Sequence, residues 1–360
     1  MPFESMPMSL FEKLDIGALV PGVGVFGGVR RFIEMGNELV RRGHRYVLYS
    51  PSGEPPAWIP FSGESLPLSR LPRERHQVLI CNDPPLLDDF ERAAADLKLF
   101  YFVLENVKGE RRIARHPGWR ILANSSGMYN HLRRKYRIEP EKVVGGINLH
   151  RFKPADRPRT EDAPFRILTF GRISRRKKGV PIVLDAVKSF ADRLARSHGH
   201  APGRDVQLVL FDHIDPWNPQ DPREDTEPRL GALPHEWHLN LSQEELAALY
   251  TSCHLFVSAE KRAGWANTVA EAMACGLPVV CTRSGARDIA EHRRSAWVVR
   301  WRHRYFVEAG IRALYRDPAL ADRLRANALQ LIRRFSWPHV VDQLEDVIRR
   351  RLPHPPDAGA

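Results

Sequence analysis

The sequence is poor in cysteine and has no long apolar run. Four cysteines occur in 360 residues, without any repeated CxxC spacing: Cys81, Cys253, Cys275 and Cys281. Each lies in an apolar segment, which favours buried, reduced thiols over disulfides or a zinc site. No apolar run approaches the roughly 20 residues of a membrane-spanning helix, and the N-terminus lacks a cationic-then-apolar export signal. We therefore expect a cytoplasmic protein.

Acidic residues are also in deficit. The 43 Asp and Glu residues stand against 55 Lys and Arg residues, a formal net charge of +12. This excess favours anionic ligands, although arginine-rich composition also arises from genome composition alone. No sheet face carries interleaved aromatic residues, so we expect no nucleic-acid partner. No Asp-x-Asp cluster suits a divalent ion, since Asp88 and Asp89 fall in a helical stretch and Asp212 has no second carboxylate nearby. We therefore expect that the protein requires no metal and no cofactor.

What the sequence does contain is a repeated alternation of apolar strands and amphipathic helices. IGALVPG at 16–22 indicates a strand, and VRRFIEMGNELVRRGH at 29–44 has apolar residues at helical spacing. The alternation restarts at FRILTFGRI, after the turn-rich, proline-containing stretch 145–164, which we interpret as a linker. This pattern predicts an α/β fold of two doubly wound, Rossmann-like domains, 1–155 and 156–335, facing each other across a cleft. Ligands of such sheets bind at the carboxyl ends of the strands.

Two loops that follow predicted strands are suited to anions. PGVGVFGGVRR at 21–31 opens the first helix, and Gly27 and Gly28 let the backbone approach a ligand at a helix N-terminus. GRISRRKKGV at 171–180 places five cations ahead of a helix, which can neutralise a departing diphosphate. The alternatives are a plain glycine-rich turn for the first loop and a solvated basic loop for the second.

A third loop, SAEKRAGWANTVAEAMACGLPVVC at 258–281, carries an isolated carboxylate. Asn267 is a candidate cap for a helix that begins at Thr268, which puts Glu271 one turn into that helix. Glu271 can accept hydrogen bonds from sugar or ribose hydroxyls, or it can merely complement the helix dipole. Five residues precede or open this helix: Gly264, Trp265, Ala266, Asn267 and Thr268. Their backbone amides can bind anionic groups.

Taken together, these segments resemble the retaining nucleotide-sugar glycosyltransferases of family 4, the group 1 glycosyltransferases with the GT-B fold. The resemblance covers almost the whole chain, from GGVRRFIEMGNELVRRGHRYVLYSP through GGINLHRFKP, GRISRRKKGV and LSQEELAALYTSCHLFVSA to GWANTVAEAMACGLPVVCTRSGARDIAEHRRSAWVV and RFSW at 334–337. It implies that a final helix, within 336–360, returns to the first domain.

The resemblance also implies roles for single residues. The family carries two glutamates with seven residues between them; Glu271 matches the second, whereas Ala263 stands where the first belongs. Glu260, three residues earlier, is the candidate substitute for the missing carboxylate. The family's diphosphate-binding Arg and Lys match Arg172 and Lys178, with Lys177 as a close competitor.

In the first domain, the Gly27-Gly28 loop matches the family's loop against the transferring sugar and phosphate. Many family members place a histidine after the strand that matches KLFYFVLEN, and this chain has Glu105 and Asn106 there. These two residues are the acceptor-side candidates, with ordinary strand-end polar residues as the alternative.

The resemblance implies a metal-independent, retaining transfer of a sugar, of the hexosyltransferase type, from a nucleoside diphosphate to an acceptor hydroxyl. The acceptor would be a glycan or a lipid-linked molecule, in surface polysaccharide or lipopolysaccharide assembly. The missing glutamate leaves open a noncatalytic member that binds a nucleotide or glycan, and a GT-B nucleotide-sugar epimerase is a further alternative. We expect that replacing Arg172 or Lys178 leaves the fold intact.

Two basic segments of the first domain suggest reversible contact with the inner face of an anionic membrane. KGERRIARHPGWR at 108–120 and HLRRKYRI at 131–138 concentrate cations beside one acid, Glu110. Trp119 and Tyr136 are candidates for the headgroup boundary. The alternative is an arginine-rich, solvated face.

Overall fold

The computed structural model describes residues 13–25, 27–155, 164–199, 204–214 and 219–353. The chain divides into two compact units. The first contains the described residues up to Asn124, Met128–Gly146 and the residues from Trp337 onward, and the second contains Ser125–Gly127 and Ile147–Ser336. The divisions therefore fall at 146/147 and 336/337, whereas the sequence suggested 155/156 and 335/336. Ile147 is in the second unit because it forms a parallel bridge with Ser336.

The first unit is built on a seven-stranded sheet of order β3-β2-β1-β4-β5-β6-β7, in which every pair is parallel. Its strands are β1 Asp15–Leu19, β2 Arg45–Ser50, β3 Glu64–Pro67, β4 Arg75–Cys81, β5 Ala94–Phe102, β6 Arg120–Ala123 and β7 Glu141–Lys142. Its helices are α1 Gly27–Arg41, α2 Leu87–Arg92, α3 Glu110–Ala114, α4 Ser126–Tyr136 and α11 Trp337–Arg351.

The second unit repeats the same winding in a six-stranded parallel sheet of order β10-β9-β8-β11-β12-β13. Its strands are β8 Phe165–Phe170, β9 Val206–Asp212, β10 His235–Leu239, β11 Leu255–Ser258, β12 Val279–Cys281 and β13 Trp297–Val298. Its helices are α5 Val180–His198, α6 Pro222–Leu230, α7 Gln243–Thr251, α8 Asn267–Ala274, α9 Arg304–Arg316 and α10 Pro318–Ile332.

Local sequence explains why these elements begin and end where they do. The central strands are mostly apolar and largely buried, as expected for parallel strands that are covered on both faces. At the start of α7, Ser242 Oγ accepts from the amide of Glu245, while the Glu245 carboxylate accepts from the amide of Ser242. This reciprocal pair is a capping box, which the spacing of Ser242 and Glu245 in the sequence favours. None of the described helices is both long and apolar enough to cross a membrane.

Helix α11 closes the core of the first unit. Trp337, Val340 and Leu344 are buried in that core together with residues of α1 and β1. The polar side of the joint is an ion-pair cluster around Glu345, which accepts from Arg42 at 2.7 Å and from His44 at 3.0 Å. His44 Nδ1 accepts from the amide of Leu14. The ring proton is therefore on Nε2, which donates the hydrogen bond to Glu345.

This cluster makes the attachment of α11 sensitive to acid. Burial alone would raise the pKa of Glu345, but the hydrogen bond from His44 and the charge of Arg42 together lower it below its usual value. A lowered folded-state pKa stabilises the protein above the unfolded value near 4.5, and that contribution is lost as the pH falls through the lowered pKa. We expect Glu345→Gln to cost about 1–3 kcal/mol at neutral pH and to flatten the acid limb of stability against pH.

The measurement is urea unfolding from neutral to acidic pH, with Glu54→Gln, at an exposed glutamate of the same unit, as the control. Parallel pH profiles for wild type and Glu345→Gln would contradict this account.

Candidate functional site

The two loops of interest in the second unit meet at the point where its strand order reverses. Strands β8 and β11 are paired neighbours, with Ile167 opposite Leu255 and Leu168 opposite Phe256. From there the chain continues to β9 on one side and to β12 on the other. Loops 171–179 and 259–266 therefore leave the same edge of the sheet side by side, which is where doubly wound folds bind ligands.

Backbone contacts fix these loops to each other. The amide of Lys261 donates to the carbonyl of Lys177 at 2.8 Å. Gly179 adopts a left-handed conformation (φ 73°) beside the carbonyl of Ala259, and a side chain at this position would collide with that carbonyl. The amide of Ala263 donates to Ser284 Oγ at 2.9 Å, which ties the far end of the second loop to its unit. The edge is consequently a preformed surface.

Lys178 and Glu260 form the centre of this surface. Lys178 Nζ donates to Glu260 Oε1 at 2.9 Å. Glu260 is only 8% exposed, and its second oxygen, Oε2, is buried without a hydrogen-bond partner in the described residues. A buried carboxylate oxygen without a donor is costly, and a ligand hydroxyl is a donor of the right kind. The sequence named both residues, but only the fold shows that they touch.

Arg172 is not a free cation. Its side chain is buried, with Nε donating to Asp212 Oδ2 at 2.7 Å and Nη2 to the carbonyl of His213 at 3.2 Å. The sequence did not indicate this pair, because the two residues are 40 positions apart. Arg172 thus lies at the expected edge, but its charge is compensated by a neighbouring carboxylate.

The uncompensated charge of the loop lies farther out. Arg176 and Lys177 are exposed, and Arg175 is half-buried with its guanidinium 5.6 Å from the ring centre of Phe170. Lys178 packs over the same ring at 5.4 Å. The order along the loop is therefore a paired inner cation, Arg172, then exposed cations, then the paired Lys178.

Glu271 is buried inside the second unit and accepts from the hydroxyl of Tyr250 at 2.9 Å. Tyr250 is itself fully buried on α7, so the carboxylate also serves to fix α8 against α7. The prediction that Asn267 caps this helix is wrong. Helix α8 already begins at Asn267, and the residue in the cap position, Ala266, has no side chain to offer.

The run 264–268 lies where the sequence placed it, at the N-terminal end of α8. Its backbone is held by the amide of Ala266, which donates to the carbonyl of Gly285 at 2.9 Å. Trp265 packs at 5.4 Å against the ring of Phe335, and its indole Nε1 is buried without a described acceptor. An indole N–H without a described partner, at a helix N-terminus, is suited to donate to an oxygen of a ligand.

The first unit has its own switch point, between β1 and β4. Gly28, in the first turn of α1, leaves so little room that a Cβ there would lie 3.2 Å from Asn82 Nδ2. Asn82 follows β4 and Asn124 follows β6, and each has a buried side-chain oxygen without a described partner. Asn124 is 2% exposed and its Nδ2 faces the carbonyl of Val103 at 3.4 Å, which fixes its amide orientation.

Sequence reasoning missed these two asparagines. Both directly follow predicted strands, in HQVLICN and WRILANSS, so the rule that loops after strands bind ligands would have found them. Each presents an acceptor oxygen, the group that a sugar hydroxyl requires.

Of the two acceptor-side candidates, Asn106 is held in a separate network. Its amide donates to Glu110 Oε1 at 2.9 Å, and its Oδ1 accepts from Lys135 at 2.9 Å. Buried Glu110 also accepts from Tyr136 and Lys135; these bonds outweigh the effect of burial and lower the pKa of Glu110 to about 2. Glu105 is half-buried.

The expected use of Trp119 and Tyr136 at a membrane surface is wrong. Trp119 is buried and stacks between His116 and the core ring of Phe100. Tyr136 is buried with its hydroxyl bound to Glu110 at 2.6 Å. The segments 108–120 and 131–138 therefore present cations without an exposed aromatic ring.

The four cysteines are free and buried, in agreement with the sequence. Burial raises the pKa of Cys253 to about 11. Among the described residues, no three His, Cys, Asp or Glu side chains are placed to hold a metal ion together.

Comparison with known families decides what the second unit is. Residues 164–317 match the family model described as "Glycosyl transferases group 1". The second unit belongs to the group 1 glycosyltransferases. The predicted resemblance to the group 1 glycosyltransferases is thereby confirmed for these residues.

The chain is also similar in sequence to a curated glycosyltransferase. The chain is 29% identical over 258 residues to D-inositol 3-phosphate glycosyltransferase 1 of Catenulispora acidiphila, which is 65% of this chain and 57% of that relative. It thus spans little more than half the length of this relative.

Solved structures match the fold over almost the whole chain. A glycosyltransferase from Rickettsia africae matches with a TM-score of 0.74 at 17% identity, over 96% of this chain and 100% of that one. Anabaena HepE, solved with UDP-glucose, matches with a TM-score of 0.72 at 14% identity, over 94% and 100%. At sequence identities this low, the matches show similarity of fold alone. They confirm the predicted α/β fold with two Rossmann-like units.

The buried Arg172–Asp212 pair predicts a stability effect, contrary to the expectation from sequence. Arg172→Met leaves a buried, unpaired carboxylate, which costs about 3–5 kcal/mol of unfolding free energy. Adding Asp212→Asn removes that charge while retaining the bond from the His213 amide, so the double variant should regain part of the loss. Urea unfolding measures both.

The matched control is Arg176→Met, an exposed arginine of the same loop, for which we expect a change within about 0.5 kcal/mol. If Arg172→Met unfolds at the same urea concentration as this control, the pair does not support the fold.

Proposed function

We propose that the protein is a retaining glycosyltransferase that moves a sugar from a nucleoside-diphosphate sugar to a hydroxyl of a glycan or lipid-linked acceptor. The observation that carries this proposal is the Lys178–Glu260 pair at the switch point of a group 1 glycosyltransferase domain. The names of similar proteins support it: one relative is called an inositol phosphate glycosyltransferase, and one structural neighbour holds UDP-glucose.

Lys178 and the exposed cations of its loop would stabilise the departing diphosphate. Charge grows on the leaving group as the sugar becomes cation-like, and preorganised donors are worth most where that charge develops. Arg176 and Lys177 add positive charge that no described carboxylate neutralises. We propose that this loop supplies the electrostatic stabilisation that a metal ion supplies in other transferases, so that the reaction requires no added metal.

Glu260 would replace the glutamate that the family has at the position of Ala263. Its Oε1 is taken by Lys178, whereas its buried Oε2 is left for a donor. A hydroxyl of the donor sugar, bound next to the diphosphate, would meet this oxygen. The amide of Ala263, in contrast, donates to Ser284 Oγ, and the Ala263 side chain lies close to Gly285. The carboxylate of this loop is therefore three residues earlier, at Glu260.

Glu271 and the run Gly264–Thr268 would complete the donor site. The amides at the N-terminal end of α8 and the indole of Trp265 are hydrogen-bond donors, while Glu271 can exchange its bond with Tyr250 for one with a ribose hydroxyl. In the first unit, taken by itself, the backbone of the Gly27-Gly28 loop at the start of α1 is suited to a phosphate. Asn82 and Asn124 would accept hydrogen bonds from sugar hydroxyls.

We further propose that the protein works in the cytoplasm, in surface polysaccharide or lipopolysaccharide assembly. The support is the resemblance of the chain to glycosyltransferases of that role and its four buried, free thiols. A membrane-associated acceptor agrees with the net charge of +12.

The function is tested by incubating the full chain with a panel of UDP-, GDP- and ADP-sugars. We expect one donor to stabilise the protein, by about 2.7 kcal/mol at 100 times its dissociation constant. That donor should then be hydrolysed slowly, or transferred to a glycan acceptor, and proton NMR should show the anomeric configuration of the donor in the product.

Other results would select other functions. Binding without hydrolysis or transfer would indicate a noncatalytic nucleotide or glycan binder, and a donor with one inverted sugar centre would indicate an epimerase. An inverted anomeric centre in the product would refute retention, and a panel without any stabilising nucleotide sugar would refute the proposal.

The Lys178–Glu260 pair gives the most specific prediction of this mechanism. Lys178→Met should lower turnover by roughly 100-fold, the scale of losing one charge-stabilising donor. Glu260→Gln keeps the size of the side chain and should lower donor turnover. We expect its effect on the activation free energy of turnover to exceed its effect on the unfolding free energy. Steady-state kinetics with the donor from the panel measure both.

Lys177→Met is the matched control, because Lys177 is exposed and adjacent in the loop; we expect a smaller loss than for Lys178→Met. Ala263→Glu should give no gain in activity if Glu260 already fills the role. Full activity of Glu260→Ala, or of both Lys178→Met and a Lys177/Lys178 double variant, is incompatible with the assignment.

A further inference from the structure

The exposed aromatic side chains of the described chain are concentrated in one short segment of the second unit. Four large hydrophobic side chains are exposed among the described residues, and three of them lie within six positions: Trp301 at 57%, Tyr305 at 59% and Phe306 at 39%. The fourth, Leu104, lies in the first unit. Exposed aromatic residues in such a cluster are a feature of interaction surfaces.

Arginines alternate with these rings. The guanidinium of Arg300 lies 5.5 Å from the ring centre of Trp301, and that of Arg304 lies 4.7 Å from the ring centre of Tyr305. No acidic residue occurs between 299 and 307. The next carboxylate, Glu308, is buried and turned inward, where it accepts from Ser189 at 2.8 Å and from Arg193 at 3.0 Å. The exposed side chains of residues 300–306 are therefore aromatic or basic, with His303 among them.

The segment is fixed in place. Arg302 points inward, and its Nε donates to the carbonyl of Ala259 at 2.6 Å while its Nη2 donates to the carbonyl of Arg176 at 3.3 Å. His303 caps α9 through the amide of Tyr305. Through Arg302 the segment adjoins the exposed cations Arg176 and Lys177, which extend the positive surface.

We propose that the surface formed by Arg300, Trp301, Arg304, Tyr305 and Phe306, the aromatic–arginine surface, docks on an anionic lipid bilayer. Trp and Tyr rings have an apolar body and a polar edge, which suits the level of the headgroups. Arginines beside them attract anionic headgroups. The chain does not need to span the bilayer for this attachment, and the proposal does not depend on the proposed function.

Two comparisons favour a bilayer as the occupant. A single nucleic-acid strand would need free ring faces for base stacking, but Arg300 and Arg304 already lie over Trp301 and Tyr305. The basic segments of the first unit have the charge without the rings, since Trp119 and Tyr136 are buried. Cations and exposed aromatic rings occur together at the aromatic–arginine surface.

The test is co-sedimentation of the full chain with vesicles of phosphatidylcholine alone or mixed with phosphatidylglycerol, at low and high salt. We expect binding to the anionic vesicles at low salt, weaker binding at high salt because the charges are screened, and little binding to phosphatidylcholine. A vesicle-induced fluorescence change that is smaller in Trp301→Phe than in wild type would place this ring at the bilayer.

Two variants separate the parts of the surface. Trp301→Ser combined with Tyr305→Ser should weaken partitioning by about tenfold or more, and Arg300→Gln combined with Arg304→Gln by roughly thirtyfold, from about 1 kcal/mol for each cation. All four positions are exposed, and thermal unfolding of each variant confirms that the fold is intact. Arg111→Gln combined with Arg134→Gln, at exposed arginines of the first unit, is the matched control and should bind like wild type.

No binding to anionic vesicles at low salt overturns the proposal. So does equal binding by the folded double variants, or a loss of binding confined to the Arg111/Arg134 control. Binding to a single-stranded oligonucleotide that is tighter than binding to the vesicles, and that is lost in the Trp301/Tyr305 variant, would assign the surface to nucleic acid instead.

Discussion

The parallel pairing of β8 with β11 is the constraint on which the candidate donor site depends. Because the chain leaves these two neighbours in opposite directions, the loops after them have no strand between them and close on each other. A backbone hydrogen bond from the amide of Lys261 to the carbonyl of Lys177 then holds one loop against the other. Residues 82 positions apart, Lys178 and Glu260, are brought within 2.9 Å as a consequence.

Charge compensation is the second principle of this site. The two cations predicted to bind the diphosphate, Arg172 and Lys178, each have a carboxylate partner, Asp212 and Glu260. A buried charge is expensive without such a partner, so the partners keep both cations in place in the free protein. The net positive potential comes from the exposed cations between them, which are free to meet an incoming anion. The compensated pairs hold the geometry, and the exposed charges attract the ligand.

The sequence predicted the fold well for physical reasons that are local. Mostly apolar strands such as FRILTF and amphipathic helices such as α1 predict a parallel, doubly wound sheet, and the capping box at Ser242 and Glu245 indicates where a helix begins. The predictions that failed concern single side chains: the cap at Asn267 and the exposure of Trp119 and Tyr136. Helix ends depend on one or two hydrogen bonds, and the exposure of a ring depends on what packs over it, so neither follows from periodicity.

The sequence by itself determined the family, the two repeats and the identity of the loops that carry the candidate site, because these follow from the order and spacing of segments along the chain. Only the tertiary structure decided which charges are paired and that Glu260 contacts Lys178. It also decided that Asn82 and Asn124 have oxygens without a partner among the described residues, and that the exposed aromatic rings of the described chain lie at 301–306. These facts depend on contacts between residues tens of positions apart, and such contacts are set by strand order and side-chain packing rather than by local sequence.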